Sequence, residues 1–241
     1  MKGVEIVYHC AATAHEGLSV FSPYEIGKNN YLASVSVFSA AISKKVKRII
    51  FCSSMARYGS QKYPFTEDMK ANPVDPYAIS KVFGHHITVN YREAYGMFAC
   101  SGILFNHESP LRGIEFVTRK ITSTLAEIRA GRKKVLELGN IYAKRDWGYA
   151  TEYVEGMWRM LQQEKPGDYV MATGEAHSVR EFIEESFLVL GEQIMWKGSG
   201  ENEKGILKSS GETVVNIDPR YYRPNEVDLL IGDPSLAIKE I

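Results

Sequence analysis

The chain has no net charge, few cysteines and no long apolar run, and each of these absences removes a class of function. Its 29 basic and 29 acidic residues cancel to a formal charge of zero over 241 residues. A protein that holds nucleic acid or an anionic membrane surface through electrostatics carries a basic excess, so neither partner is expected. No apolar stretch approaches the roughly 18 residues that a transmembrane helix requires. Cys10, Cys52 and Cys100 are the only cysteines, each in or just after an apolar run. An odd number without ligand spacing argues against a disulfide framework and against a metal centre. Buried, reduced thiols in a cytoplasmic protein are the expectation. The start, Met1-Lys2-Gly3-Val4-Glu5-Ile6-Val7, reads as a short strand rather than a targeting segment. Repeats, low-complexity tracts and coiled-coil heptads are also missing.

What is present describes an ordinary globular protein, 44% hydrophobic and 24% charged, long enough to bury a proper core. Val4 to Cys10 reads as a strand, followed by the small residues Ala11, Ala12, Thr13 and Ala14, which let a ligand approach the backbone. Apolar residues at helical spacing (Leu32, Val35, Val37, Phe38, Ala41, Ile42) predict a helix over 24–43, and Val46 to Cys52 returns to strand. Pro73 and Pro76 close a loop, a helix runs from about Tyr77 to Tyr95 and stops at Gly96, and Phe98 to Phe105 is again a strand. Strands alternating with helices imply parallel βαβ units in a doubly wound sheet, with ligands at the carboxyl ends of the strands.

Past Asn106 the texture changes. A polar loop over 106–113 precedes helices over 116–130, 150–163 and 178–190, with short strands at 135–138 and 168–172. Ser178-Val179-Arg180-Glu181 has the spacing of a capping box. The glycine- and charge-rich stretch 197–211 reads as a mobile excursion, and Trp147 and Trp158 as core. One further absence is specific. A dinucleotide fold opens with a strand and a G-x-G-x-x-G or G-x-x-G-x-x-G turn, whose helix amino terminus holds a pyrophosphate. No such turn precedes Val4. The expectation is therefore an α/β protein with a partial, Rossmann-like doubly wound sheet whose first βαβ unit is missing, plus a smaller α/β domain. Residues 1–110 are expected to form the later half of the dinucleotide-binding domain, with most of residues 111–241 in a second domain.

Chemistry concentrates in Asp75-Pro76-Tyr77-Ala78-Ile79-Ser80-Lys81. Four residues apart at the start of a helix, Tyr77 and Lys81 share one face. A free phenol ionises near pH 10, and an ammonium held beside it favours the phenolate, so Tyr77 can exchange protons near neutrality. Upstream, Ile49-Ile50-Phe51-Cys52-Ser53-Ser54 reads as a buried strand delivering Ser54 to its carboxyl end. Serine, tyrosine and lysine in that order resemble the catalytic set of short-chain dehydrogenase/reductase enzymes.

From about Tyr77 onward the chain resembles the GDP-mannose 4,6-dehydratases, an extended branch of that superfamily. The resemblance rests on Ile87-Thr88-Val89-Asn90-Tyr91-Arg92-Glu93-Ala94-Tyr95-Gly96, on Gly102-Ile103-Leu104-Phe105-Asn106-His107-Glu108-Ser109-Pro110, on Lys144-Arg145-Asp146-Trp147-Gly148 and on Asp218-Pro219-Arg220-Tyr221-Tyr222-Arg223-Pro224. Residues 1–76, through Ser53-Ser54-Met55-Ala56-Arg57-Tyr58-Gly59, look more like a nucleotide-sugar epimerase of the same superfamily. In the dehydratase family the tyrosine takes the C4 hydroxyl proton and a hydride passes to NADP. A glutamate then removes the C5 proton, water leaves from C6, and the hydride returns to C6.

Laid onto this chain, the family motif Ser-Thr-Ser-Glu-Leu-Tyr-Gly puts Ser54 at the threonine and Ala56 at the glutamate. Ser54 keeps a hydroxyl; Ala56 cannot accept a proton. The resemblance implies catalytic Ser54, Tyr77 and Lys81. It also implies NADP, with NAD as the other candidate, held by Lys81, His107, Arg112 and the stretch Cys10, Ala11, Ala12, Thr13 and Ala14. Asn106, Arg145, Arg223 and Glu226 become contacts to GDP-mannose or another nucleotide sugar, since a guanidinium fork suits a diphosphate. Leu111 replaces an arginine usual beside Arg112. His85 and His86 read as structural. A homo-oligomer is implied, and so is a division in which residues 111–241 are mostly the nucleotide-sugar-binding domain, interleaved with the dinucleotide-binding domain of 1–110 at an approximate boundary. Two other readings stand beside the dehydratase: a 4-epimerase, which needs only the hydroxyl, tyrosine and lysine, and a non-catalytic fragment that binds nucleotide sugar or pairs with homologous subunits.

Overall fold

Strand and helix alternate through the first half of the chain as the apolar periodicity requires. A computed structural model describes residues 1–14, 16–222 and 227–241. Two compact units emerge, one built from Met1–His107, Asp146–Glu175 and Leu230–Ile241, the other from Glu108–Arg145 and Ala176–Leu229.

The first unit contains a four-stranded sheet in the order β1 (Ile6–His9), β2 (Arg48–Ser54), β3 (Phe98–Leu104) and the strand Asp168–Met171. All three pairings are parallel, with His9 opposite Phe51, Ser54 opposite Leu104, and Leu104 opposite Met171. Parallel neighbours need crossovers, which the helices Pro23–Ser43, Pro76–Tyr95 and Ala150–Met160 provide. Both faces of β2 are covered, which is why its sequence is a continuous apolar run rather than an alternation. Ile49 and Phe51 pack with Phe38, Ala41, Met97 and Ala99 on one face. Ile50 and Cys52 pack with Cys100, Tyr153, Met157 and Met160 on the other.

The helix Pro76–Tyr95 begins where its sequence says it should. Proline occupies the first turn, where its missing N–H costs nothing, and the Asp75 carboxylate accepts from the Ala78 N–H at 2.8 Å. It ends at Gly96, in the left-handed region with φ 63°. Gly84 is on the face turned to β2, and a Cβ there would come within 2.2 Å of the Phe51 ring. The missing side chain lets the helix carrying Tyr77 and Lys81 lie directly on the strand carrying Ser54. In Ala150–Met160 the buried stripe is Tyr153, Gly156, Met157 and Met160. Trp158 falls outside that stripe and is exposed, contrary to the core position expected for it.

The second unit holds a sheet in the order Ile194–Lys197, Lys204–Leu207, Thr213–Ile217, Leu136–Leu138. Its first two pairings are antiparallel and the last is parallel. Helices Val117–Arg129 and Val179–Val189 pack on one another. The capping box forms as spaced: the Ser178 hydroxyl accepts from the Glu181 N–H, and the Glu181 carboxylate accepts from the Ser178 N–H. The mobile excursion expected over 197–211 is not what the structure shows. Gly205 sits inside the sheet, where a Cβ would press on Val215. The Glu203 carboxylate is buried, accepting from the Tyr142 hydroxyl at 2.6 Å and from Arg180 at 3.0 Å. Glycine and charge, read as signs of mobility, serve here as close packing and an ion pair whose carboxylate is buried. Among the described residues no helix is long and apolar enough to cross a membrane.

Candidate active site

The site in the first unit is assembled from the carboxyl ends of β1 and β2 and the first turns of Pro76–Tyr95. Ser54 closes β2, is buried, and caps the short 3-10 turn Met55–Tyr58, its hydroxyl oxygen accepting from the Ala56 N–H at 3.2 Å. Ala56 is itself buried in that turn. Lys81 is 5% exposed. Its Nζ donates to the Cys52 carbonyl at 2.8 Å and lies 5.6 Å from the centre of the Tyr77 ring and 5.2 Å from that of Phe51. Burial pulls the ammonium down to about 8, against the opposing influence of the Cys52 and Cys10 thiols. A lysine so placed keeps its proton at neutral pH while standing close to giving it up. The structure thus brings together Tyr77, Lys81 and the end of the strand that bears Ser54.

The segment after β1 is fixed by a residue that the motif reading passes over. Asn30 is buried; its Oδ1 accepts from the Thr13 N–H at 2.8 Å. Its Nδ2 donates to the Thr13 carbonyl at 3.2 Å and to the Ser80 hydroxyl at 2.9 Å. One amide therefore ties the Cys10–Ala14 segment to the turn between Tyr77 and Lys81. A signal existed: Ile26, Asn30, Ser34 and Phe38 recur every fourth residue and are all buried, so two polar side chains stand in an apolar stripe. Such residues are hydrogen-bonded for a reason. The neighbouring His9 is buried against Ser34, and burial followed by the Lys81 charge holds its imidazole below the usual range.

A second buried network joins the 3-10 turn to the helix. Arg57, one residue beyond Ala56, donates to His85 Nε2 at 3.1 Å, and the other ring nitrogen pairs with the Ser101 hydroxyl at 2.9 Å. Burial first, and the Arg57 charge second, push the His85 imidazole down to about 4. His85 is a structural residue, as its place on the helix suggested.

The remaining candidates are distributed. Cys10 is exposed while Cys52 and Cys100 are buried, which corrects the expectation of three buried thiols. His107 pairs its Nδ1 with the Phe105 carbonyl at 2.8 Å and stacks on Tyr153 with ring centres 5.2 Å apart. Asn106 is half-buried in the short strand Asn106–Glu108. In the second unit, the Arg112 guanidinium lies 3.2 Å from the Glu108 carboxylate and 3.6 Å from the Phe116 ring centre, and Leu111 beside it is exposed. Arg145 is buried and donates to the Lys144 carbonyl at 2.8 Å, not the solvated charge that spacing alone would suggest. Arg223 and Glu226 lie outside the described residues. Among the described residues no cluster of His, Cys, Asp or Glu could hold a metal ion.

The family model for GDP-mannose 4,6 dehydratase matches residues 2–241. The GDP-mannose 4,6 dehydratase of Dictyostelium discoideum is 49% identical over 238 residues, covering 97% of this chain and 67% of that protein. The enzyme of the same description from Homo sapiens is 51% identical over 190 residues, covering 78% of this chain and 51% of that protein. The chain thus spans about half to two thirds of the length of these relatives. Among solved structures, a dTDP-glucose 4,6-dehydratase of Streptomyces venezuelae with NAD bound superposes with a TM-score of 0.83 at 20% identity, over 99% of this chain and 67% of that one. At that identity the likeness is one of fold.

Proposed function

Because the chain belongs to the GDP-mannose 4,6-dehydratase family, we propose that it acts on GDP-mannose or a related nucleotide sugar through transient oxidation at C4. The observation that carries this reading is the placement of Lys81, buried against the Tyr77 ring and bonded to the strand that ends at Ser54. An ammonium in that position stabilises the phenolate, so Tyr77 takes the proton of the C4 hydroxyl while the Ser54 hydroxyl donates to the C4 oxygen. NADP, or NAD, is the hydride acceptor this chemistry calls for. The Cys10–Ala14 segment suits it, because Ala11, Ala12 and Ala14 put little between a ligand and the backbone and Asn30 holds that backbone in place. Lys81, which donates to the Cys52 carbonyl, is also the proposed donor to a ribose hydroxyl of the cofactor. His107 and Arg112 complete the proposed cofactor contacts. Asn106, Arg145, Arg223 and Glu226 are the proposed contacts to the sugar nucleotide.

Elimination is the step for which the chain offers no evident base. Position 56 holds a buried alanine where the family motif holds glutamate. This favours a second reading, in which the C4 ketone is reduced again without loss of water and the outcome is epimerisation at C4. Product analysis separates the two. With GDP-mannose and NADP, the chain as it stands should form little 4-keto-6-deoxy sugar, and Ala56→Glu should raise that product by roughly 10²-fold. GDP-talose, the C4 epimer, would support the second reading. Rapid dehydration with Ala56 intact would show that another residue removes the C5 proton.

A further inference from the structure

Cys10, Cys52 and Met157 bring their sulfur atoms together beside Lys81, and the proposed proton chemistry uses none of them. The Cys52 Sγ lies 3.5 Å from the Cys10 Sγ and 3.4 Å from the Met157 Sδ. His9 pairs with Phe51 in the parallel register of β1 and β2, so Cys10 and Cys52 follow as neighbours one step further along. Adjacent strands run about 4.7–4.9 Å apart, inside the roughly 4.4–6.8 Å between Cα atoms that a disulfide accepts. The two thiols also differ in the way that sequential exchange requires. Cys10 is exposed and Cys52 is buried. The Cys52 S–H, with help from the Lys81 charge, holds the Cys10 thiol below its ordinary range, and the same pairing together with burial pushes Cys52 up. A nucleophile that solvent can reach thus stands on a partner that it cannot.

We infer that Cys10 and Cys52 form a dithiol site that closes into an intrachain disulfide by exchange with a small disulfide such as oxidised glutathione. The Cys10 thiolate attacks one sulfur of that disulfide, forming a mixed disulfide and releasing one glutathione thiolate, which is protonated. The Cys52 sulfur then attacks the Cys10 sulfur and displaces the second glutathione, which takes the Cys52 proton. Two protein thiols are oxidised to one disulfide, and the small disulfide is reduced to two thiols. The new bond forms on the residue whose carbonyl holds Lys81, so oxidation acts on the lysine's support. This site depends on the β1–β2 edge and stands whichever sugar reaction the chain performs.

The test is chemical and independent of turnover. The native protein is incubated with oxidised glutathione, its remaining thiols are alkylated, and it is digested without reductant for mass spectrometry. Two of the three thiols should be lost, in a peptide pair linking Cys10 to Cys52 that dithiothreitol separates. Cys100, fully buried, should stay reduced. Cys52→Ser, with Cys52→Ala as a second variant should the first fold poorly, should stop at one glutathione on Cys10. Cys10→Ser should form no intrachain disulfide, and its buried Cys52 should take up glutathione at least about tenfold more slowly than Cys10 does in Cys52→Ser. A stable glutathione adduct on Cys10 in the unsubstituted chain, a link involving Cys100, or three unreacted thiols would each overturn the inference.

Discussion

At Lys81 a full positive charge is buried against two aromatic rings and one carbonyl, an arrangement that stability alone does not favour. Burial of an ammonium is costly, and burial is the main cause that pulls Lys81 down to about 8. The charge makes sense as a means of acting on the Tyr77 phenol. Phenylalanine at that position keeps the ring and removes the proton-exchanging oxygen. We expect Tyr77→Phe to lower turnover by roughly 10²–10⁴, the usual worth of a positioned acid or base, with thermal unfolding little changed. Steady-state kinetics on the purified variant would show it, and near-normal turnover would remove Tyr77 from the proposed chemistry.

The element that presents Ser54 is a strand end followed by one turn of 3-10 helix, and the Arg57–His85 hydrogen bond joins that turn to the helix Pro76–Tyr95, beside the Lys81–Cys52 bond to the strand. His85 contributes to stability with a definite sign. Below about pH 6.5 an unfolded chain protonates its imidazole, whereas the folded chain resists protonation down to about pH 4. Across that window the unfolded state binds more protons, so stability falls as the pH drops, by about 3 kcal/mol in all for a shift of this size. Urea unfolding at a series of pH values should show the loss in the unsubstituted protein. His85→Gln, which keeps an acceptor for Arg57 without a titrating ring, should flatten the curve. Equal slopes for the two proteins would mean that His85 titrates freely and the link is not as drawn.

At the scale of the whole molecule, the first unit is made of three separate stretches of chain, and a buried carboxylate ties two of them, Asp146–Glu175 and Leu230–Ile241, to each other. Asp146 is 1% exposed. It accepts from the Thr173 N–H at 2.8 Å, the Thr173 hydroxyl at 2.7 Å, the Gly174 N–H at 3.0 Å and the Gly232 N–H at 3.4 Å. Removing it would strand several buried donors, each worth about 1–3 kcal/mol when left unpaired. Asp146→Ala should therefore cost about 3 kcal/mol or more in denaturant unfolding. Asp146→Asn, which retains one acceptor oxygen, should cost less. A loss below 1 kcal/mol for the alanine variant would show that these segments hold together without the carboxylate.

Local signals in the sequence determined the elements: the apolar run of β2, the proline and aspartate that start Pro76–Tyr95, the glycine that ends it, and the capping box at Ser178. They also determined the spacing of Tyr77 and Lys81, because a helix has one period and side chains four apart must share a face. Tertiary structure decided which distant groups those elements meet. Asn30 joins Thr13 to Ser80, Glu203 finds Arg180 and Tyr142, Asp146 gathers Thr173, Gly174 and Gly232, and Cys10 comes to rest on Cys52. None of these pairings has a period or a short spacing to reveal it. Each depends on strand order and on where a helix crosses a sheet, which follow from the burial of the whole chain rather than from any stretch of it.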